Sequence, residues 1–239
     1  MLDPVVTSPV DTRGSAPAVA AALASASAER LGELRDRFRR EHHLKIPGFV
    51  DAELADRISA QLAAAEFEVR TSAGVGTEWL MKPNALAATL NWVVNAPDVL
   101  RNVRHVAECP EIAYFSGRVY RMDPASGQSF GWHDDRHAKD RRLALSVNLG
   151  DEPYAGGVLQ LREKTRPDAI VSVPNVARGD AVLFRVADEL EHRVTPVEGT
   201  VPKLAFTGWF KPGEPYHAAL RLELFSRLRG PASAGAGTT

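Results

Sequence analysis

From about Arg118 onward the chain breaks into short strand-like runs at nearly even spacing, and this limits its fold more than any other feature. Arg118–Met122, Leu143–Leu149, Val158–Arg162, Ala169–Val173, Ala181–Arg185, His192–Val197 and Lys203–Phe210 combine β-branched or aromatic residues with alternation. Gly156-Gly157, Pro167-Asp168 and Gly179-Asp180 punctuate them. Strands this short bury enough surface only by packing into two layers, so the expectation is a sandwich or jelly roll.

The first half reads differently. Residues 1–15 mix Pro, Ser, Thr and Gly without periodicity and read as a disordered tail. Residues 16–109 read as a helical support region. Leu31, Leu34 and Phe38 recur at helical spacing, and Leu44-Lys45-Ile46 is a short strand-like run closed by Pro47-Gly48. Asp51 is placed to cap a helix carrying Leu54, Ile58 and Leu62, Ala85 to Val94 reads as a third helix, and Pro97-Asp98 opens a fourth. Residues 110–212 form the expected β core, and 213–239 a C-terminal helix (His217 to Leu228) with a flexible tail.

Charge and cysteine content exclude several classes. Lys plus Arg (29) nearly equals Asp plus Glu (30), so no nucleic-acid partner is expected. Arg136, Arg141 and Arg142 read as a solvated loop. No apolar run reaches membrane-spanning length, so no membrane partner is expected. The Ala-rich stretch Ala16 to Ala28 lacks the basic lead of a signal peptide. A lone Cys109 rules out an internal disulfide and fits a reducing compartment, and the expected location is cytoplasmic. The apolar face of the N-terminal helices could serve a homodimer.

Within the β region, His133-Asp134-Asp135 sets a histidine and a carboxylate two residues apart. On a strand these two share a face while Asp134 points away. His192, on a later strand, can join them. Two imidazoles and a carboxylate on one side of a metal leave open positions opposite, an arrangement suited to Fe(II) oxygenases. His137 offers a rival, a zinc-dependent hydrolase using His133, His137 and His192, although no HExxH-type glutamate accompanies it.

A second, independent signal lies in Lys203 to Phe210. Alternation puts Lys203, Ala205, Thr207 and Trp209 on one face and Leu204, Phe206 and Phe210 on the other. An inward lysine is costly unless an anion compensates it. The alternative is an edge-strand lysine whose ammonium reaches water. In Leu143–Leu149, Ala144, Ser146 and Asn148 likewise form a small polar face that leaves room for a ligand.

Taken in order, these residues resemble the prolyl-4-hydroxylase-like branch of the 2-oxoglutarate/Fe(II) oxygenase superfamily. The resemblance runs through Tyr120, then Gly127-Gln128-Ser129-Phe130-Gly131-Trp132-His133-Asp134-Asp135, Gly156-Gly157-Val158-Leu159, Gly179 to Phe184, His192 to Val197 and Lys203 to Trp209. It covers roughly Arg118 to Phe210. It implies a double-stranded β-helix, a cupin-like jelly roll, with Fe(II) held by His133, Asp135 and His192. It further implies 2-oxoglutarate as cosubstrate, its C5 carboxylate on Lys203 assisted by Thr207, with Tyr120 and Asn148 lining the pocket. Asn148 departs from the pattern, where an aromatic hydroxyl is frequent, and the Tyr120–His133 spacing is longer than usual. The implied activity is an O2-dependent dioxygenase that hydroxylates an unactivated C–H of a peptide, amino acid or small metabolite, releasing succinate and CO2, with ascorbate as a stimulant. Arg118, Met122, Trp132 and Arg162 are candidates to meet substrate, and Arg118 or Arg162 could pair with a carboxylate on it. The competing reading outside enzymology is a cupin-like binding or regulatory domain with structural histidines, which gives Lys203 no reason to face inward.

Overall fold

The computed structural model describes residues 23, 26–72, 76–124, 129–136 and 138–216. The expected N-terminal tail, the C-terminal helix and His137 lie outside these residues.

Four helices have legible causes. α1 (Ala28–Glu41) buries Leu34 and Phe38 and starts at Ser27, whose hydroxyl accepts from the Arg30 amide. Strand β1 (His43–Ile46) follows, and then α2 (Ala52–Leu62), where Asp51 accepts from the Leu54 amide at 2.7 Å. α3 (Ala85–Val94) is capped by Asn84, and α4 (Pro97–Ala107) opens with proline in its first turn. Among the described residues no helix is long and apolar enough to cross a membrane.

Between α2 and α3 stands a hairpin that the sequence reading did not anticipate, β2 (Phe67–Ser72) and β3 (Gly76–Met81). The remaining strands are β4 (Tyr114–Met122), β5 (Phe130–His133), β6 (Leu143–Asn148), β7 (Ala155–Gly156), β8 (Leu159–Glu163), β9 (Arg166–Val173), β10 (Ala181–Arg185), β11 (Leu190–Val194), β12 (Val197–Glu198) and β13 (Lys203–Lys211). Two local expectations are corrected. Pro167-Asp168 lies inside β9, and the turn is at Lys164-Thr165. Proline is tolerated there because β9 is an edge strand, paired among the described residues only with β8. The run from His192 to Val197 divides between β11 and β12 around Thr195-Pro196.

All pairings are antiparallel, in the order β1-β10-β6-β13-β4-β3-β5-β11-β8-β9, with β2 on β3 and a separate β7–β12 pair. β3 and β5 are joined by a single residue pair, Gly76↔Phe130. The sheet therefore curls into two leaves, a mainly antiparallel half-barrel of the jelly-roll class. The outer leaf face packs on the helices. Leu143, Leu145 and Val147 of β6 and Phe206 and Phe210 of β13 are buried there with Phe115. Phe115 lies 5.6 and 4.9 Å from Phe206 and Phe210, ring centre to ring centre. The opposite parity of the same strands faces the interior of the roll.

α3 is attached to β4 through two asparagines. Asn91 accepts from the Gly117 amide (2.7 Å) and donates to its carbonyl (2.9 Å). Asn95 does the same to Phe115, at 2.8 and 2.9 Å. Residues four apart on a helix rise about 6 Å, close to the repeat of two strand residues, so one helix face can replace a missing neighbour strand.

Candidate active site

The interior of the roll is a cavity of about 520 Å³. Lys203, Ala205, Thr207 and Trp209 of β13 and Ala144, Ser146 and Asn148 of β6 all line it, as their alternation requires. Across the cavity, β11 and β5 are in register with His192 opposite His133. The two imidazole rings are 4.2 Å apart.

Asp135 reaches the histidines by a route other than strand parity. β5 ends at His133, and Asp135 sits beyond it in the left-handed region at φ 60°. Aspartate is one of the few residues that tolerate this conformation, and such positions collect at functional sites. The turn swings the carboxylate back, placing one oxygen 3.8 Å from His133 Nε2 and the other 3.4 Å from His192 Nε2. One ligand atom from each of the three residues falls within 4.8 Å of the others, and the trio is buried or half-buried. Ligands at about 2.1 Å and right angles to one another lie roughly 3 Å apart, so a closure of no more than about 2 Å would seat a metal. His133 Nδ1–H donates to the Gly131 carbonyl at 2.7 Å, which leaves Nε2 as the lone-pair nitrogen. Asp134 points away onto Lys164.

Both Asp135 oxygens are also held from behind. Arg141 Nη1 donates to Oδ1 at 2.7 Å and Trp209 Nε1 to Oδ2 at 2.6 Å, while the Arg141 guanidinium carbon lies over the Trp209 ring, 3.6 Å from its centre. Burial pushes the Asp135 carboxyl up, but His192 and the Trp209 donor outweigh it and hold the carboxyl well below its usual range. Burial and the neighbouring His192 lower the His133 pKa, which favours the neutral, ligating form. Arg141 is thus not the solvated-loop residue that its neighbourhood suggested. Arg136 and Arg142 do sit at the surface side, on Asp188 and Glu111.

Lys203 is buried, with its ammonium donating to the Gly157 carbonyl at 2.7 Å. Burial alone pulls its pKa down to about 8. Gly156 and Gly157 both have positive φ, which turns the Gly157 carbonyl toward the lysine. A Cβ on Gly156 would lie 2.2 Å from the Pro196 oxygen. Tyr154, absent from the sequence reading, also lines the cavity, its ring 5.6 Å from Lys203 Nζ. Its only signal in the sequence was a lone tyrosine two residues before Gly156.

The other expected residues divide. Tyr120 is buried and lines the cavity, and burial pushes its phenol upward. Thr207 lines it too, but its hydroxyl donates to the Leu145 carbonyl, and it stands four residues, about 13 Å of strand, from Lys203. Asn148 is engaged in holding loops, donating to the Val176 carbonyl and accepting from the Gly150 amide. Arg118 lines the cavity and pairs with buried Glu78 at 2.8 Å. Met122 is fully enclosed in a cluster with Tyr120, Val197 and Ala205, so it does not face the mouth. Arg162 is tied to Glu191 and stacks on Trp132, and neither Arg162 nor Trp132 lines the cavity.

The comparisons with known proteins agree with this geometry. Residues 117–211 match the model of the 2OG-Fe(II) oxygenase superfamily. No curated protein matches the chain in sequence. Among solved structures, a 2OG-Fe(II) oxygenase family oxidoreductase from Burkholderia pseudomallei is 16% identical, with 77% of this chain and 92% of that one covered at a TM-score of 0.62. A Pseudomonas putida prolyl-4-hydroxylase is 19% identical, covering 77% and 99% at 0.59. The epimerase SnoN from nogalamycin biosynthesis, with Fe3+, alpha ketoglutarate and nogalamycin RO bound, is 18% identical, covering 89% and 94% at 0.57. At these identities the likeness is one of fold. The matched residues run from β4 to the end of β13 and include the histidine–aspartate–histidine cluster and Lys203, so in this stretch the chain is similar to the 2OG-Fe(II) oxygenase superfamily.

Proposed function

We propose that this oxygenase is a 2-oxoglutarate-dependent hydroxylase in which His133, Asp135 and His192 hold the ferrous ion and Lys203 binds the distal carboxylate of the keto acid. The observation that carries it is one cavity containing both a three-residue cluster able to hold a metal and a buried lysine whose ammonium meets a carbonyl but, among the described residues, no carboxylate. The donor set fits the metal. Two neutral imidazole nitrogens and a carboxylate suit Fe(II), and they leave the cavity side open.

When bound, the ferrous ion supplies the activation of O2 at the expense of the keto acid. The chain's own residues do the rest. Arg141 and Trp209 fix the Asp135 carboxylate, so its orientation does not depend on the ion. Lys203 aligns the cosubstrate by its far end, and a carboxylate beside it would restore the lysine's charged form. Tyr120 and Tyr154 offer hydroxyls along the same wall, and Val173, Val182 and Phe184 exclude water from it. The buried Lys203 beside the cluster supports this reading over the cupin-like binding domain and the zinc hydrolase, neither of which gives that lysine a reason to face inward.

The test is anaerobic addition of Fe(II) and then 2-oxoglutarate. A weak visible charge-transfer band is expected in the wild type and is expected to vanish in His192→Ala, with loss of stoichiometric iron binding. Retention of iron and of the band in His192→Ala would sink the assignment.

A further inference from the structure

The cavity wall carries more positive charge than a metal and a keto acid account for. Among the described residues it holds four cations, Arg70, Arg118, Arg141 and Lys203, against two carboxylates, Glu78 and Asp135. A ferrous ion and a 2-oxoglutarate dianion cancel each other and leave this surplus in place. Arg70 is exposed on β2 at the mouth, where solvent screens it. The enclosed surplus is one positive charge, and Lys203 is already matched to the cosubstrate.

The arginines show where that charge is concentrated. The guanidinium carbons of Arg141 and Arg118 lie 3.6 and 5.1 Å from the centre of the same Trp209 ring. Each is tied by one terminal nitrogen, Arg141 Nη1 to Asp135 and Arg118 Nη2 to Glu78. The Nε–H of both is buried without an acceptor among the described residues. Glu78 offsets Arg118, but Asp135 would be shared between Arg141 and the metal, so a loaded site leaves one enclosed positive charge and two unmet donors unless an anion joins them. Packing of both guanidinium groups over the indole limits the freedom they lose on binding.

We infer that the substrate carries a carboxylate, gripped by the Arg118–Arg141 pair against Trp209, with its reacting carbon beside the Asp135 side of the metal. This rests on the functional reading above and adds to it the class of substrate. Arg70 at the mouth favours the approach of an anion. One carboxylate cancels the enclosed surplus, whereas a phosphate dianion would reverse it.

The experiment uses the Fe(II)- and 2-oxoglutarate-loaded protein without O2, titrated with N-acetylated amino acids and with the primary amide of each. Binding is read by calorimetry and by perturbation of the charge-transfer band. At least one acid is expected to bind about 10- to 100-fold more tightly than its amide, the scale of a charge-assisted contact. That preference is expected to fall within about twofold in Arg141→Gln and in the double variant Arg118→Gln/Glu78→Gln, which strands no buried carboxylate. The inference is overturned if no acid binds more tightly than its amide, if the preference survives in both variants, or if a small phosphate monoester binds more tightly than every acid. A wild type without the band would instead overturn the functional reading, while a normal band without acid preference overturns this inference alone.

Discussion

Lys203→Met keeps the length of a buried side chain and removes its charge. The lysine titrates near 8 in the folded protein because of burial, against about 10.4 in an unfolded chain. The difference corresponds to about 3 kcal/mol against folding at pH 7. Between pH 8 and 10.5 the unfolded chain holds more protons than the folded one, so ligand-free stability from this group rises with pH across that window. Methionine removes the penalty at pH 7. Part of the gain is lost because the Gly157 carbonyl loses its donor, about 1 kcal/mol. A net gain of roughly 1–2 kcal/mol raises the ligand-free Tm by about 2–8 °C. Cosubstrate binding moves the other way. Removing one member of a buried ionic hydrogen bond costs about 2–5 kcal/mol, so the Kd for 2-oxoglutarate should rise by roughly 30-fold to several thousandfold. Calorimetry in buffers of different ionisation heat adds a check. At pH 8 the wild type should take up about half a proton on binding the keto acid, and the methionine variant should not. A variant that melts lower without ligand, or binds 2-oxoglutarate within about threefold of wild type, refutes the assignment of Lys203.

Two further substitutions probe the frame around the site. Asn95→Ala leaves both the amide and the carbonyl of buried Phe115 without partners and should cost about 2–5 kcal/mol, with faster hydrogen exchange at Phe115. A loss under about 0.5 kcal/mol would mean that water or a shifted strand replaces the asparagine. Trp209→Phe keeps a ring against Arg141 but removes the donor to Asp135, and Fe(II) affinity should fall about 10- to 100-fold in direct titration. Unchanged affinity would show that Arg141 alone orients the carboxylate.

The parity of β13 and β6 could be read directly because each strand is buried on both sides with different chemistry. Lys203, Thr207 and Trp209 against Leu204, Phe206 and Phe210 admits one orientation only. The same logic gave the right partner for His133 by the wrong route. His133 and Asp135 do converge, but through a left-handed turn rather than a shared strand face, and the sequence Asp134-Asp135-Arg136 does not announce such a turn. The β2–β3 hairpin escaped because its signals conflict: Glu68, Arg70 and Glu78 look like solvated positions, yet Glu78 is buried against Arg118. Arg141 was hidden in a basic cluster whose neighbours really are surface residues. Its distinguishing contact, Asp135, is only six residues away, but nothing in local spacing separates it from Arg142. Trp209 was placed on the correct face without a role, although a buried indole N–H requires an acceptor.

The slender join at Gly76 and Phe130 bears on how the empty and loaded molecules differ. The two histidines proposed to hold iron, His133 and His192, stand on β5 and β11, beyond that join, whereas Trp209 and Lys203 stand on β13, before it. Filling the interior would therefore rivet two flaps that the backbone itself barely stitches. Breathing along this seam should slow sharply once iron and keto acid are in, and the roll should be most vulnerable to proteases when it has nothing to hold.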